Sequence, residues 1–393
     1  MATSSTAPLQ GLKIVELSSF VASPLCGLTL SQLGAQVIRI DPPGGAADVN
    51  RWPVTVDGNS IYWTGLNKGK HSVVADLHTE AGQDIVRRLI TEPSSGGGIV
   101  VTNTAGRQWL SHNSLQKLRP DVITVEIVGN ADGRPAVDYT VNAAVGFPAI
   151  TGPTNYGGVV NHVLPAWDVA CGLYAALAVV SAVRRRDQTG VGCHIRLALH
   201  DMALFVASTL GYLTEVQVNG TEREATGNDV YGTYGTDFST SDDARFMLVA
   251  LTSRHFRSLV DLTGTREAVT AIQAALGVDL FNSEADRFRH RQLLHGLFNP
   301  WFRSQPAAMV ETRLADAHVL FARYRTFTDV VNAPDVQDNP LFANLDQPLI
   351  GSYLAAGSPA TFDGTHFHAT AASRLGADTG AYTADASQSD DEH

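Results

Sequence analysis

The 393-residue chain is predicted to be an α/β protein: a large Rossmann-like, doubly wound domain plus a smaller α/β domain. Three observations carry this. Short β-branched runs alternate with helix-length segments across the first 130 residues. The length exceeds what one hydrophobic core usually serves, roughly 250–300 residues. Hydrophobic residues at 44% against 17% charged describe a well-buried globular chain and exclude a mostly disordered one.

The elements follow in order. Residues 12–17 are a short apolar run after a glycine, typical of a strand. Residues 18–24, Ser-rich and ending in Pro24, make a turn that can cap a helix; 25–33 are apolar at helical spacing, and Gly34 supplies the stop. A second strand, 35–41, is closed by Pro42-Pro43-Gly44-Gly45. Strand, helix, strand is a βαβ unit and implies parallel pairing. The rhythm continues with strands at 72–77, 98–103 and 122–128 and helices at 80–89 and 109–118. Residues 129–164 loosen into Gly/Pro/Asn-rich loops, after which 168–186 is the strongest helix in the chain and 197–213 another.

Polar residues 219–224 mark a boundary, followed by a Gly-, Thr- and Tyr-rich stretch at 226–240. A strand at 246–251 and helices at 253–262, 266–276, 286–301 and 309–315 then form the smaller domain, and 331–362 read as a long return loop. No internal repeat is visible.

Composition excludes several function classes. The balance of 28 Lys+Arg against 39 Asp+Glu, a net charge of −11, argues against a general nucleic-acid or anionic-membrane binder while leaving room for a local basic pocket. Cys26, Cys171 and Cys193 show no C-x-x-C spacing, so neither a disulfide framework nor a zinc site is indicated, and a reducing cytoplasm fits. Among thirteen histidines, the nearest pairs (His366/His368 and His290/His295) lack a matching carboxylate pattern, and no metal site is expected. The N-terminus has neither the basic start nor the apolar run of a signal peptide. The apolar stretch 169–183 falls short of the roughly 20 residues that span a bilayer and reads as a buried helix. Residues 387–393 read as a solvated acidic tail. Without G-x-G-x-x-G at the first helix a nicotinamide or flavin enzyme is disfavoured, and without G-x-S-x-G so is a serine hydrolase.

Asp168 is the first candidate for chemistry. It opens the long apolar helix in uncharged surroundings, Leu164-Pro165-Ala166-Trp167-Asp168-Val169. Unpaired N–H groups and the macrodipole favour negative charge at a helix start, so this carboxylate is expected to stay ionised and to be available as a nucleophile toward an activated acyl group. A plain N-cap aspartate is the commoner use of Asp there, and the residues alone leave both readings open. Arg184-Arg185-Arg186 at the other end is accounted for by the C-terminal dipole. Arg39, Lys68 and Lys70 fall in loops after strands or at strand ends, as does Asn103-Thr104-Ala105-Gly106-Arg107, where ligands of open parallel sheets collect. Each alone is more often a solvated surface group.

Together the residues resemble a known family. The opening Leu12-Lys13-Ile14-Val15-Glu16-Leu17 with Pro24, the run from Leu33 to Asp41, and Asn67-Lys68 before Ser72-Val73-Val74-Ala75-Asp76-Leu77 are similar to the start of class III CoA transferases. So are Asn103, Asp138 with Ala143-Ala144-Val145-Gly146, Thr151-Gly152, and above all Pro165-x-x-Asp168-x-x-x-Gly172-x-x-Ala175-Ala176. Arg186-x-x-x-Thr189-Gly190-x-Gly192 and Leu375-Gly376-Ala377-Asp378-Thr379 complete a likeness that covers nearly the whole chain.

The resemblance implies a large Rossmann-like domain at 1–220, a small one at 221–330, and a segment 331–393 returning to the large domain, in two interlocked protomers. It implies Asp168 as the catalytic residue, an acyl-CoA substrate, no permanently bound cofactor, and coenzyme A lying near Val21, Ala22, Arg39, Lys68, Asn103, Thr104, Arg107 and Asp138. Two departures narrow the reaction. A racemase branch carries His immediately before the Asp matching Asp138, where this chain has Val137, which argues against α-proton abstraction. Formyl-CoA:oxalate transferases carry Gln where Val21 stands and a run of glycines where Thr226-Gly227-Asn228-Asp229 stands.

Overall fold

In chain order the larger unit runs β1 (Lys13–Leu17), α1 (Ala22–Gln32), β2 (Gln36–Asp41), α2 (Ile61–Leu66), β3 (His71–Val74), α3 (Glu80–Thr91), β4 (Ile99–Thr102), α4 (His112–Gln116), β5 (Ile123–Val128) and α5 (Asp138–Ala144). After α6 (Phe147–Ile150), which belongs to the smaller unit, come α7 (Ala166–Thr189), β6 (Cys193–Ala198), α8 (Leu199–Thr209) and α9 (Tyr212–Asn219). The computed structural model describes residues 7–104 and 106–383; the acidic tail at 387–393 lies outside the described residues.

The six strands form one parallel sheet in the order β3-β2-β1-β4-β5-β6. That order reverses between β1 and β4, so the loops leaving these two strands flank the crevice where ligands bind in such sheets. One sheet face buries Val15, Leu17, Ile38, Ile40, Val73 and Val100 against Val86, Leu89 and Ile90 of the amphipathic α3. β-branched residues at these positions suit a strand covered on both faces.

Helix α7 runs for 24 residues, with the length and hydropathy of a membrane span, so the expectation that this segment is too short is corrected. Its Cys171, Gly172, Ala175, Ala176, Val179 and Ala182 are buried within the chain's own unit, mainly against α1. A Cβ on Gly172 would stand 2.6 Å from the Ala22 carbonyl oxygen and 3.1 Å from the Leu25 Cβ, so this glycine is what lets the two helices approach.

Several elements were not anticipated. β6 is an edge strand whose residues alternate between half-buried and exposed, so its hydrophobic signal is weak; a helix had been expected from residue 197. That helix divides at Gly211, at φ +84°, into α8 and α9. The return segment covers the β3 edge: Ser72 N donates to Asp378 Oδ2 at 2.7 Å and Val74 N to Thr379 Oγ1 at 3.0 Å. An open row of strand donors is thereby closed.

The smaller unit comprises residues 146–161 and 222–333; the first of these stretches had been expected in the large domain. Its antiparallel sheet orders β7 (Tyr234–Ser239), β8 (Arg245–Ala250) and β9 (Leu320–Arg323). Phe238, Phe246, Phe256, Phe298 and Phe302 fill its core. The helix expected at 286–301 is two, Glu284–Arg289 and Arg291–Arg303, meeting at His290.

Candidate active site

Pro165 precedes α7 and offers no side-chain cap, so the first N–H groups of this helix need an acceptor from elsewhere. Asp138, the first residue of α5, supplies it. Its Oδ2 accepts from Trp167 N at 2.7 Å and from Asp168 N at 3.0 Å, while Oδ1 lies 3.3 Å from His162 Nε2. The capping role left open for Asp168 is therefore filled by a second aspartate, and Asp168 sits at the third helical position with its own carboxyl uncommitted to the helix start. Asp138, expected near coenzyme A, is 2% exposed, with both oxygens engaged inside the chain.

Asp168 precedes Gly172 by four residues, about one turn, so both lie on the α7 face that meets the start of α1. The carboxyl is half-buried. Burial raises its pKa to about 7, the nearby Asp138 carboxylate adds to the rise, and Arg51 opposes it. Burial and the like charge of Asp138 thus act against the helix dipole that was expected to keep this group ionised. The anion, where it forms, is poorly solvated. Such a carboxylate is more reactive toward an acyl carbon than one held by hydrogen bonds.

The loop between β1 and α1 forms the other wall. Asn103, just after β4, clamps it: Asn103 Oδ1 accepts from Ser19 N at 3.1 Å and Nδ2 donates to Ser19 O at 2.8 Å. Phe20 N donates to Asp48 Oδ2 at 2.8 Å, and Phe20 is held at φ +63°, a strained conformation for a bulky residue. Val21 and Ala22 follow at the start of α1. Arg51 lies over the rings of Phe20 and Tyr62, at 5.4 and 5.3 Å to the ring centres. Tyr62 is itself pushed up to about 12, by burial first, with Asp168 and Asp48 adding to the rise and Arg51 opposing it.

Behind this loop lies a closed cluster of charge. Arg39, 1% exposed, donates from Nε and Nη2 to the two oxygens of Asp41 at 2.9 and 3.0 Å, from Nη2 to Asp48 at 3.3 Å and from Nη1 to Asn67 at 3.1 Å. Lys70 Nζ donates to Glu16 at 2.9 Å and to Pro24 O at 2.8 Å. Gly27 makes room for the Glu16 carboxylate, which a Cβ there would strike at 1.7 Å. Arg39, expected near coenzyme A, thus directs its donors to Asp41, Asp48 and Asn67 and holds this cluster together. Lys68 and Lys70 precede β3, so they stand before a strand and not after one. Burial lowers the pKa of half-buried Lys68.

Thr104 and Arg107 share a cavity of about 230 Å³ over β4, β5 and β6, lined also by Thr102, His112, Glu126 and His194. Arg107 Nη1 donates to Leu77 O at 3.2 Å. The structure thus groups Thr104 with Arg107, joins Asn103 to the loop that leads into Val21 and Ala22 at the start of α1, and leaves Lys68 apart. Sequence reasoning missed Arg51, Tyr62 and His162. Arg51 lies in the polar stretch before Trp52-Pro53, and only folding brings Phe20 and Tyr62 to it. Among the described residues no cluster of three metal-ligating side chains occurs.

Known proteins resemble this chain over most of its length. A relative from Chloroflexus aurantiacus named 2-methylfumaryl-CoA isomerase is 45% identical over 90% of this chain and 87% of its own. The succinate–glutarate CoA-transferase of Agrobacterium fabrum is 27% identical over 88% of this chain and 94% of its own. The crystal structure of a CaiB/BaiF family protein from Brucella suis superposes with a TM-score of 0.78 at 25% identity, covering 95% of this chain and 98% of that one. The model of CoA-transferase family III matches residues 9–379, so the chain belongs to that family and is an enzyme of CoA-thioester chemistry.

Proposed function

We propose that the protein is a 2-methylfumaryl-CoA isomerase, moving CoA between the two carboxyl groups of one 2-methylfumarate (mesaconate) molecule. The observation that carries this is the 45% identity over 90% of the chain to a relative of that name, against 27% for the succinate–glutarate transferase. The half-buried Asp168 with its raised pKa supports a covalent route.

In the proposed route the Asp168 carboxylate attacks the thioester carbonyl, the C–S bond breaks, CoA leaves as thiolate, and an acyl–aspartyl anhydride remains. The thiolate then attacks the aspartyl carbonyl, releasing the free dicarboxylate and forming an aspartyl–CoA thioester. The other carboxylate attacks that thioester, giving the second anhydride and thiolate again. Thiolate attack on the substrate carbonyl yields the isomeric thioester and restores Asp168. A dicarboxylate kept in the site recombines with high effective molarity, which favours intramolecular transfer. Backbone N–H groups near the start of α7 are available to stabilise the oxyanions.

The cavity at Thr104 and Arg107, with Val21 and Ala22, is the proposed path of coenzyme A. A homodimer is proposed as the working form, since Leu173, Tyr174 and Leu177 of α7 and Phe205 of α8 leave an apolar face exposed. Three free cysteines accord with the cytoplasm.

Two measurements test the function. Incubation with one thioester isomer and labelled free mesaconate should yield the other isomer without label; incorporation of label would establish the alternative, intermolecular transfer between two acids. Hydroxylamine should trap an acyl adduct on Asp168, and a protein that binds CoA but never forms one would be a binding module and not this enzyme.

A further inference from the structure

A dicarboxylate thioester carries a negative charge that must enter the site unpaired with anything of its own. Among the described residues, Arg51 is a cation whose charge acts on Asp168 and that is suited to meet it. Arg51 is exposed, couples electrostatically to Asp168, and pairs with no carboxylate among the described residues. The neighbouring Arg39, by contrast, is closed in by Asp41 and Asp48. Arg51 is also held still. Phe20 and Tyr62 stack on its guanidinium, and Phe20 is itself fixed by the Asp48 carboxylate and by its own strained backbone. A planar guanidinium stacked on aromatic faces keeps its N–H edge free, and that edge matches a carboxylate in two parallel hydrogen bonds.

We propose that Arg51, clamped by Phe20 and Tyr62, binds the substrate carboxylate that is not joined to CoA and so restricts the site to thioesters of dicarboxylic acids. This rests on the proposed function for the identity of the acid. The selectivity itself is a binding property of Arg51, separable from whether Asp168 becomes acylated. Because either end of the acid carries the free charge before or after transfer, one cation serves both isomers if the dicarboxylate turns over between the two steps.

The test is calorimetric titration of the Asp168→Asn variant, in which the thioester stays intact. The probes are mesaconate thioesterified at carbon 4, the carboxyl remote from the methyl-bearing carbon (3-methylfumaryl-CoA), and 3-methylcrotonyl-CoA, where a methyl group replaces the free carboxylate. The first should bind at least about tenfold more tightly, the usual scale of a charge-assisted pair. Adding Arg51→Leu should abolish that preference and leave 3-methylcrotonyl-CoA affinity within about twofold, while Arg51→Lys should keep part of it. A preference that survives Arg51→Leu overturns the proposal, as does an equal loss for both thioesters, which would assign Arg51 to the site's structure. Failure of hydroxylamine to trap an adduct in the unsubstituted enzyme would instead sink the covalent route and leave this selectivity standing.

Discussion

Two groups of charge within the large unit, one around Arg39 and one at Asp168, are built on opposite terms. In the first, Arg39 and Lys70 face Glu16, Asp41 and Asp48 at hydrogen-bond distance, with every residue 3% exposed or less. Burial alone would lower the Arg39 pKa, but the Asp41 carboxylate, aided by Glu16 and Asp48, holds it above the ordinary value. In the second, Asp168 is only half-buried, the charge acting on it most strongly is another aspartate, and its pKa rises to about 7. Charge that is sealed and paired maintains a scaffold; charge that is desolvated and unpaired holds free energy that a reaction can draw on. Asp48 joins the two, since one oxygen holds Arg39 and the other holds the Phe20 amide.

The sharpest way to break the contrast is Asp168→Asn. Under the proposed function transfer should fall by more than about a thousandfold, because the amide cannot serve as the nucleophile. The same variant should be more stable than the parent at pH 8. The folded-state pKa is raised above the unfolded value, so the parent's penalty appears as pH rises from about 4 and is complete above about 7. Unfolding in urea should show the variant ahead by about 1–3 kcal/mol at pH 8, with the gap closing toward pH 4. A gap between variant and parent no wider at pH 8 than at pH 4 would mean that Asp168 is not strained in the folded protein.

The paired cluster should respond in the other direction. Arg39→Met leaves Asp41 and Asp48 buried without their cation and is expected to cost about 3–5 kcal/mol in urea unfolding, at any pH where those carboxylates are ionised. A loss under about 1 kcal/mol would show that the cluster is not the scaffold its geometry describes.

Much of the fold was legible because a parallel sheet covered on both faces writes itself as β-branched runs, and β1 to β5 follow that rule. β6 does not, since an edge strand with one exposed face carries half the signal. Asp168 stood out because it begins an apolar helix whose small residues, Gly172, Ala175 and Ala176, pack against the rest of the unit. Its surroundings were misread. The acceptor at the helix start comes from Asp138, distant in sequence, and whether a carboxylate is stabilised or strained depends on which of two aspartates reaches the N–H groups. Arg39 and Arg51 look alike as sequence; only packing buries one against carboxylates and stacks the other on Phe20 and Tyr62. Asp378 and Thr379 were recognised by resemblance alone, and their physical role in closing the β3 edge needed coordinates.

Asp138→Asn probes the boundary between the two kinds of charge and should have the smallest effect. Asparagine keeps an oxygen to accept from Trp167 N and Asp168 N, so α7 stays capped and stability should drop by only about 1 kcal/mol. What disappears is the negative charge beside Asp168. Burial is the larger cause of the Asp168 shift and Asp138 the second, so its pKa should move down only part of the way toward the ordinary value. Activity requires the carboxylate, so the acidic limb of kcat/KM for the parent should rise through about pH 7, and the variant's limb should lie at lower pH by less than about one pH unit. A limb that does not move would assign the whole shift to burial. A limb that moves upward would mean that Asp138 stabilises the Asp168 anion through the helix it caps, and the contrast between a paired and a strained carboxylate would then fail where the two meet.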